Sequence, residues 1–296
     1  MKNRILAYLC AFALLLSASV CAEGLTVVDM AGRESVFSAP VTRVVALDAS
    51  DCEILFALGA QEMLVGRGEY CDYPAEALSV PSVQSGYEMN IEQIIALNPQ
   101  AVILPIMGQT KEQNAQLEAA GIRAVISDAQ DIEGIYKNIA MLGALTDKNA
   151  EAEALIASMK ADLARLSENA DRFAGKTVYF EVSPLQYGLW TAGKGTFMNE
   201  AAELLGLTNC FGNVDGWAAV SEEQVLARNP DYIVTISPYY GVGLTPVEEI
   251  MARPGWNGVT AVKNAAILNL PNDELSRPAP RLVDGVRLLR DFVAGE

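Results

Sequence analysis

Residues 188–196 read GLWTAGKGT, and a Gly followed five positions later by Gly-Lys has the spacing of a loop whose amides cradle phosphate. Such a loop needs a Ser or Thr hydroxyl directly after the lysine to hold magnesium. Here Gly195 stands in that place and Thr196 arrives one position late. Other chemistry is restricted by an absence: the 296 residues contain no histidine. Imidazole is the usual ligand for zinc and other first-row metals and the usual general base. A histidine-built metal receptor, a Ser-His-Asp hydrolase and a histidine-ligated haem site are therefore excluded. With no G-x-S-x-G motif either, a hydrolase using carboxylates alone is the enzymatic class that remains.

The ends and composition point to a protein that works outside the cytoplasm. Lys2 and Arg4 precede an apolar run from Ile5 to Leu16, followed by small residues ending SVCAEG, which is the pattern of a secretory signal over residues 1–22 cleaved before Glu23. The run is too short to span a bilayer as a permanent anchor. Cys21 offers a second outcome, a lipid-anchored cysteine, although Val20 before it is bulkier than such sites usually carry. Either outcome places the chain where ATP is scarce, which weakens the nucleotide reading further. The whole chain has 21 basic and 37 acidic residues; losing Lys2 and Arg4 leaves 19 minus 37, a charge of −18. Such a surface repels nucleic acid and anionic lipid. Cys52, Cys71 and Cys210 remain after the signal. They make no disulfide framework, though one Cys52–Cys71 bridge is open in an oxidising compartment.

The elements that would position a site alternate along the chain. Short β-branched runs at 42–47, 101–105, 124–127, 177–182, 232–236 and 265–270 read as buried strands. Helical patterns lie at 51–59, 91–97, 110–120, 131–144, 197–206, 222–228 and 279–293. This alternation predicts parallel sheets covered by helices. Residues 147–173 contain neither Gly nor Pro and read as one long amphipathic helix with Leu155, Met159, Leu163 and Leu166 on one face. An internal repeat flanks it: NIEQIIALNPQAVI at 90–103 returns as SEEQVLARNPDYIV at 221–234, with Glu, Gln, Ala, Asn and Pro shared at equivalent places. Each copy describes a short helix, a turn at Asn-Pro and a buried strand. The expected fold is α/β, with two Rossmann-like lobes of mainly parallel sheet, residues 23–146 and 174–296. One rigid helix over 147–173 joins them, and a ligand cleft lies between.

With these features, the stretches EYCDYPAEA (69–77), MNIEQIIALNPQAVI (89–103), VSEEQVLARNPDYIV (220–234) and SRPAPRLVDGVRLL (276–289) give the sequence its family likeness. It resembles the substrate-binding proteins of ABC importers for iron-siderophore complexes and cobalamin, and within them it looks most like the cobalamin receptors. The resemblance implies a capture protein without enzymatic activity or cofactor of its own. Such a protein is a monomer that takes a cobalamin or ferric chelate, with haem as a further candidate, and delivers it to a permease. Aromatic counterparts of the family's corrin sandwich fall on Tyr70, Trp190 and Trp217, and its polar contacts on Asp273 and Arg277. Arg277 also suits an anionic siderophore complex. Where the cobalamin pattern has further aromatics, this chain has Gly86 with Tyr87 beside it, and Met107 in PIMGQT. Tyr239 and Tyr240, in SPYYGVG after a strand, are added as cleft candidates because strand ends open onto the cleft in such sheets. The resemblance also makes Glu92 and Glu223 the permease-docking residues, one per lobe, each facing one subunit of a permease dimer.

Each assignment has an ordinary alternative: core packing for the aromatics, a surface ion pair for Asp273 and Arg277, and first-turn helix carboxylates for the two glutamates. A ligand sensor that signals to a membrane partner would share the same fold and cleft.

Overall fold

The computed structural model describes residues 24–86, 89–106, 111–270 and 273–295. The expected signal segment with Cys21, and the candidates Tyr87 and Met107, lie outside the described residues.

Alternation inside single strands sets the layers. In strands β3 (Val44–Ala46) and β6 (Ala101–Pro105), Val44, Ala46, Ala101 and Ile103 enter one apolar core while Val45, Val102 and Leu104 enter another. Both faces are buried, so the strands read as continuous apolar runs. The first lobe orders five parallel strands β5-β4-β3-β6-β7, adding β4 (Leu64–Gly68), β5 (Ser82–Val83) and β7 (Arg123–Ser127). Helices α1 (Ala49–Ala57) and α4 (Ile132–Leu145) cover one face, and α2 (Ile91–Ala96) and α3 (Lys111–Ala119) the other. An antiparallel pair, β1 (Leu25–Val28) and β2 (Glu34–Phe37), precedes the sheet.

The second lobe repeats the plan with four parallel strands, β10-β8-β12-β13: β8 (Thr177–Glu181), β10 (Thr208–Asn209), β12 (Tyr232–Thr235) and β13 (Ile267–Asn269). Val178 and Phe180 face α6 (Phe197–Leu204) and α10 (Leu282–Ala294), while Tyr179 faces α7 (Glu222–Arg228), α8 (Pro246–Ala252) and α9 (Thr260–Lys263). A separate antiparallel ribbon joins β9 (Trp190–Ala192) to β11 (Trp217–Ala219).

The connecting helix α5 runs Asn149–Leu166, shorter than the 147–173 expected. Asp147 and Asn169 both adopt left-handed backbone, which α-helix cannot pass through, and Ala170–Phe173 forms a separate 3-10 turn. At about 1.5 Å per residue α5 spans about 27 Å. It buries Met159, Leu163 and Leu166 and packs on α4 and α10. The core it enters also holds Val44 and Ile103 of the first sheet and Phe180 and Val234 of the second, so one continuous apolar core ties the lobes together.

Candidate ligand cleft

The carboxyl ends of the two parallel sheets face each other, the place where open α/β sheets take ligands. Asp48, Tyr70 and Asp128–Gln130 follow β3, β4 and β7 of the first lobe, with Ser127 at the end of β7; Ser237–Tyr240 and residues 273–281 follow β12 and β13 of the second. Bonds across the gap fix the facing. Trp217 Nε1 donates to Gln130 Oε1 at 2.8 Å, Phe197 N to Gln130 O at 2.8 Å, and Ile132 N to Glu200 Oε2 at 2.8 Å.

A dense ion network closes one end of this gap. Arg277 donates from Nη1 to Glu53 Oε1 at 3.1 Å and to Asp72 Oδ1 at 3.0 Å, and from Nη2 to the Tyr70 carbonyl at 3.2 Å. Its Nε lies 2.8 Å from Asp273 Oδ1. Arg281 forks onto Glu53 at 2.9 and 2.5 Å, reaches Glu274 at 3.2 Å, and stacks 3.7 Å from the Tyr73 ring. Glu53, on α1, is the hub, its side chain only 2% exposed. A buried carboxylate holding two guanidinium groups is fully compensated, and losing one partner would leave charge stranded. The structure thus brings Tyr70, Asp273 and Arg277 together, and it adds Glu53, Asp72, Glu274 and Arg281, which carried no sequence signal. Burial pushes the Asp273 carboxyl up, against the pull of Arg277.

GLWTAGKGT turns out to be a strand and a helix cap. Thr196 is buried, its hydroxyl donating to the Gly193 carbonyl at 2.8 Å and accepting from Asn199 N at 3.2 Å to cap α6. The hydroxyl that a magnesium site would need is therefore already engaged. Gly193 is required for another reason, since a Cβ there would come within 2.1 Å of the Val214 carbonyl. The ribbon register sets Trp217 opposite Ala192, so Trp217 and Trp190 stand on the same ribbon face. Trp190 is 44% exposed; Trp217 is half-buried, with its ring edge-to-face on Phe197 at 5.4 Å.

A broad opening lies over β8 and β12. A cavity of about 570 Å³ is lined by Pro184, Tyr187, Tyr239, Tyr240, Val242 and Leu244, with Glu181 and Glu249 among its polar groups. Tyr240 and Val242 are 87% and 86% exposed, an unusual outlay of apolar surface unless something covers it. The base is rigid: buried Arg253 clamps Glu181 at 2.6 and 2.8 Å and also binds Glu249. Burial pushes the Glu181 carboxyl up, opposed by Arg253. Tyr187, Val242 and Leu244 were missed; their signal was a loop rich in Tyr, Pro and Gly directly after each strand. In the first lobe, a cavity of about 170 Å³ is lined by Asp48, Tyr70, Gly86 and Pro105 among others. A third, about 120 Å³, adds Ser127, Asp128, Gln130 and Asn138 with Pro278 of the second lobe. Beneath it Asp51 is wholly buried, accepting from Ser127 Oγ at 2.5 Å and Asn138 Nδ2 at 2.8 Å. Burial, then the neighbouring Asp48, raises its carboxyl to about 7.

Cys52 and Cys71 are buried free thiols, with Cys71 in the turn that carries Tyr70 and its Sγ donating to the Ala46 carbonyl at 3.7 Å. Among the described residues no group of acidic or thiol side chains could hold a metal ion, and no helix is long and apolar enough to cross a membrane.

The two copies of the repeat share helix position, cap and turn. Glu92 and Glu223 are exposed at the second helical position of α2 and α7, with Asn90 and Ser221 as the caps accepting from the amides of Gln93 and Gln224. Asn98 and Asn229 then turn the chain with left-handed φ of 47° and 46°.

The chain matches the periplasmic binding protein family over residues 44–274, and it belongs to that family. It is a substrate-binding protein of ABC import, and such proteins work with a membrane permease. It is 32% identical over 274 residues to an uncharacterized ABC transporter substrate-binding lipoprotein of Bacillus subtilis, covering 90% of this chain and 85% of that one. It is 30% identical over 252 residues to a vitamin B12-binding protein of Salmonella typhimurium, covering 84% and 88%. A solved structure from Staphylococcus epidermidis, described as a possible iron-binding periplasmic solute-binding protein, matches at 31% identity. Its TM-score is 0.70, with 86% of this chain and 98% of that chain covered.

Proposed function

We propose that the chain captures a corrinoid or ferric chelate between its lobes and releases it to the permease, with no catalytic step. The observation that carries this reading is the set of exposed aromatic rings on the cleft edges, Tyr70 and Trp190 with Tyr187, Tyr239 and Tyr240, where no metal-ligand cluster accompanies them among the described residues. A partly apolar disc or ball with a polar rim needs flat aromatic area and a few hydrogen-bonding groups, since its metal is already ligated. A relative named for vitamin B12 and a solved structure described as a possible iron-binding protein support the two ligand classes.

In this reading Tyr70, Trp190, Trp217 and Tyr239 contact the ligand; Tyr87 and Met107, which lie outside the described residues, take the same role from the sequence alone. Asp273 and Arg277 hold the cleft shut at one end and offer little to the ligand directly. Glu92 and Glu223 register the two lobes on the permease dimer. Residues 1–22 export a monomer, with Cys21 as its lipid anchor where that cysteine is retained. Tryptophan fluorescence titration with cyanocobalamin, ferrioxamine B and haem, corrected for ligand absorbance and checked by calorimetry, tests the reading. Saturable one-to-one binding that weakens in Trp190→Ala supports it; no binding of any chelate would sink it.

A further inference from the structure

Resting on the capture reading, we infer that the cleft selects neutral or cationic metal chelates and rejects anionic ones. Among the described residues, the three cavities along the facing sheet edges are lined by the carboxylates Asp48, Asp128, Glu181 and Glu249, and by no lysine or arginine. Arg253 lies behind Glu181, its side chain 1% exposed and clamped on two carboxylates, so it presents no free cation. Arg277 and Arg281, which border the gap, are likewise committed, and Arg67 at the end of β4 is buried with its Nη1 on the Gly68 carbonyl at 3.1 Å. All three guanidinium nitrogens of Arg277 are engaged, by Glu53, Asp72, Asp273 and the Tyr70 carbonyl. Arg281 is divided between Glu53 and Glu274 and stacked on Tyr73. The cluster Glu53, Asp72, Asp273 and Glu274 against Arg277 and Arg281 sets four carboxylates against two cations, so its sum is negative.

An anionic chelate would meet Asp48 and Asp128 on one wall and, on the other, Glu181 and Glu249 sharing the single cation Arg253, and to gain Arg277 or Arg281 it would have to displace a carboxylate already placed at hydrogen-bond distance. The overall charge of −16 adds a long-range term of the same sign. A corrinoid of no net charge, or a cationic trihydroxamate complex, meets no such barrier and can use the tyrosine cup.

The test is calorimetric titration of the mature chain with four probes: cyanocobalamin (neutral), ferrioxamine B (cationic), ferric enterobactin and haem (both anionic). The expected result is saturable binding of a neutral or cationic probe, with the anionic probes weaker by about a hundredfold or more at low salt. Asp72→Ala, an exposed position, should strengthen binding of the anionic iron complex by about threefold to tenfold by removing one of the two carboxylates that hold Arg277 Nη1, and leave the neutral probe unchanged. An anionic probe binding as tightly as any other overturns the charge inference while leaving capture intact. Silence across all four overturns capture itself, and the charge inference falls with it.

Discussion

The two lobes share a fold and a repeated helix-turn-strand unit, yet their walls of the cleft are unlike. The first lobe presents polar groups, Asp48, Ser127 and Asp128, around small cavities, and the backbone carbonyl of its exposed Tyr70 accepts from Arg277. The second lobe presents a broad tyrosine and proline cup on an ion-paired base. The repeat, at 90–103 and 221–234, lies away from this difference, in the helix and strand that build each sheet. The loops after the strands carry the divergence. Scaffold and site are thus separable: the repeated unit fixes where strand ends lie, and the loops decide what those ends offer.

The comparison breaks most severely at the seam. Glu53→Gln keeps the volume but leaves two largely buried guanidinium groups without their shared carboxylate. About 3 kcal/mol of stability should be lost, less than for a wholly sealed pair because Arg277 and Arg281 are 15% and 14% exposed. Urea denaturation checks it. A loss under about 0.5 kcal/mol would mean that the apolar core alone, and not the ion network, joins the lobes.

A second effect belongs to the first lobe alone. Asp51 titrates near 7 in the folded chain against 3.8 ordinarily, so between those values the native state holds a proton that the unfolded chain has released. Stability should therefore fall as pH rises from about 4 to 7 and level off above. The slope from this group is at most about 1.4 kcal/mol per pH unit. Asp51→Asn can keep both partners, accepting from Asn138 and donating to Ser127, and should remove that slope. Unfolding midpoints at pH 5 and pH 8 for both proteins give the comparison; parallel curves would discard the buried titration.

The walls can be weighed against each other by ligand affinity. Replacing Tyr239 and Tyr240 together by Ala should cost about tenfold in affinity for the chelate that binds, and Tyr70→Ala about threefold, with unchanged melting temperatures because all three rings are exposed. A larger loss at Tyr70 would reverse the ranking of the two walls.

How much of this was legible in the sequence depends on distance along the chain. Strands 101–105 and helix 222–228 match their patterns because burial of both faces and a Ser-x-x-Gln capping box are local signals. The connecting helix was read too long because composition does not mark Asp147 and Asn169 as left-handed. The β9–β11 ribbon and helices α8 and α9 were missed, being three to seven residues long and without resolvable periodicity. The seam was invisible for a different reason. Glu53 and Arg277 are 224 residues apart, and nothing local tells a buried carboxylate from a solvated one. Asp273 and Arg277 were placed at the cleft through the family likeness; their engagement with each other and with Glu53 needed coordinates.

The smallest effects should come from the repeat, where the lobes agree. Glu92 and Glu223 occupy the same helical position, and neither takes part in an ion pair among the described residues. At Glu223 the Ser221 hydroxyl and the helix amides hold the carboxyl below its ordinary range, so it is anionic throughout the neutral range. Replacing either by Ala should change folding stability by less than about 0.5 kcal/mol and leave chelate affinity untouched. An exposed pair is worth about 0 to 1 kcal/mol, so one substitution should weaken docking on permease vesicles only about twofold to fivefold, and the two together should multiply. Multiplication is the informative outcome, because equivalent positions on two lobes would act independently if each met its own permease subunit. A loss confined to Glu92 or to Glu223 would mean that the likeness of the two lobes is inherited scaffold and that one lobe alone guides docking.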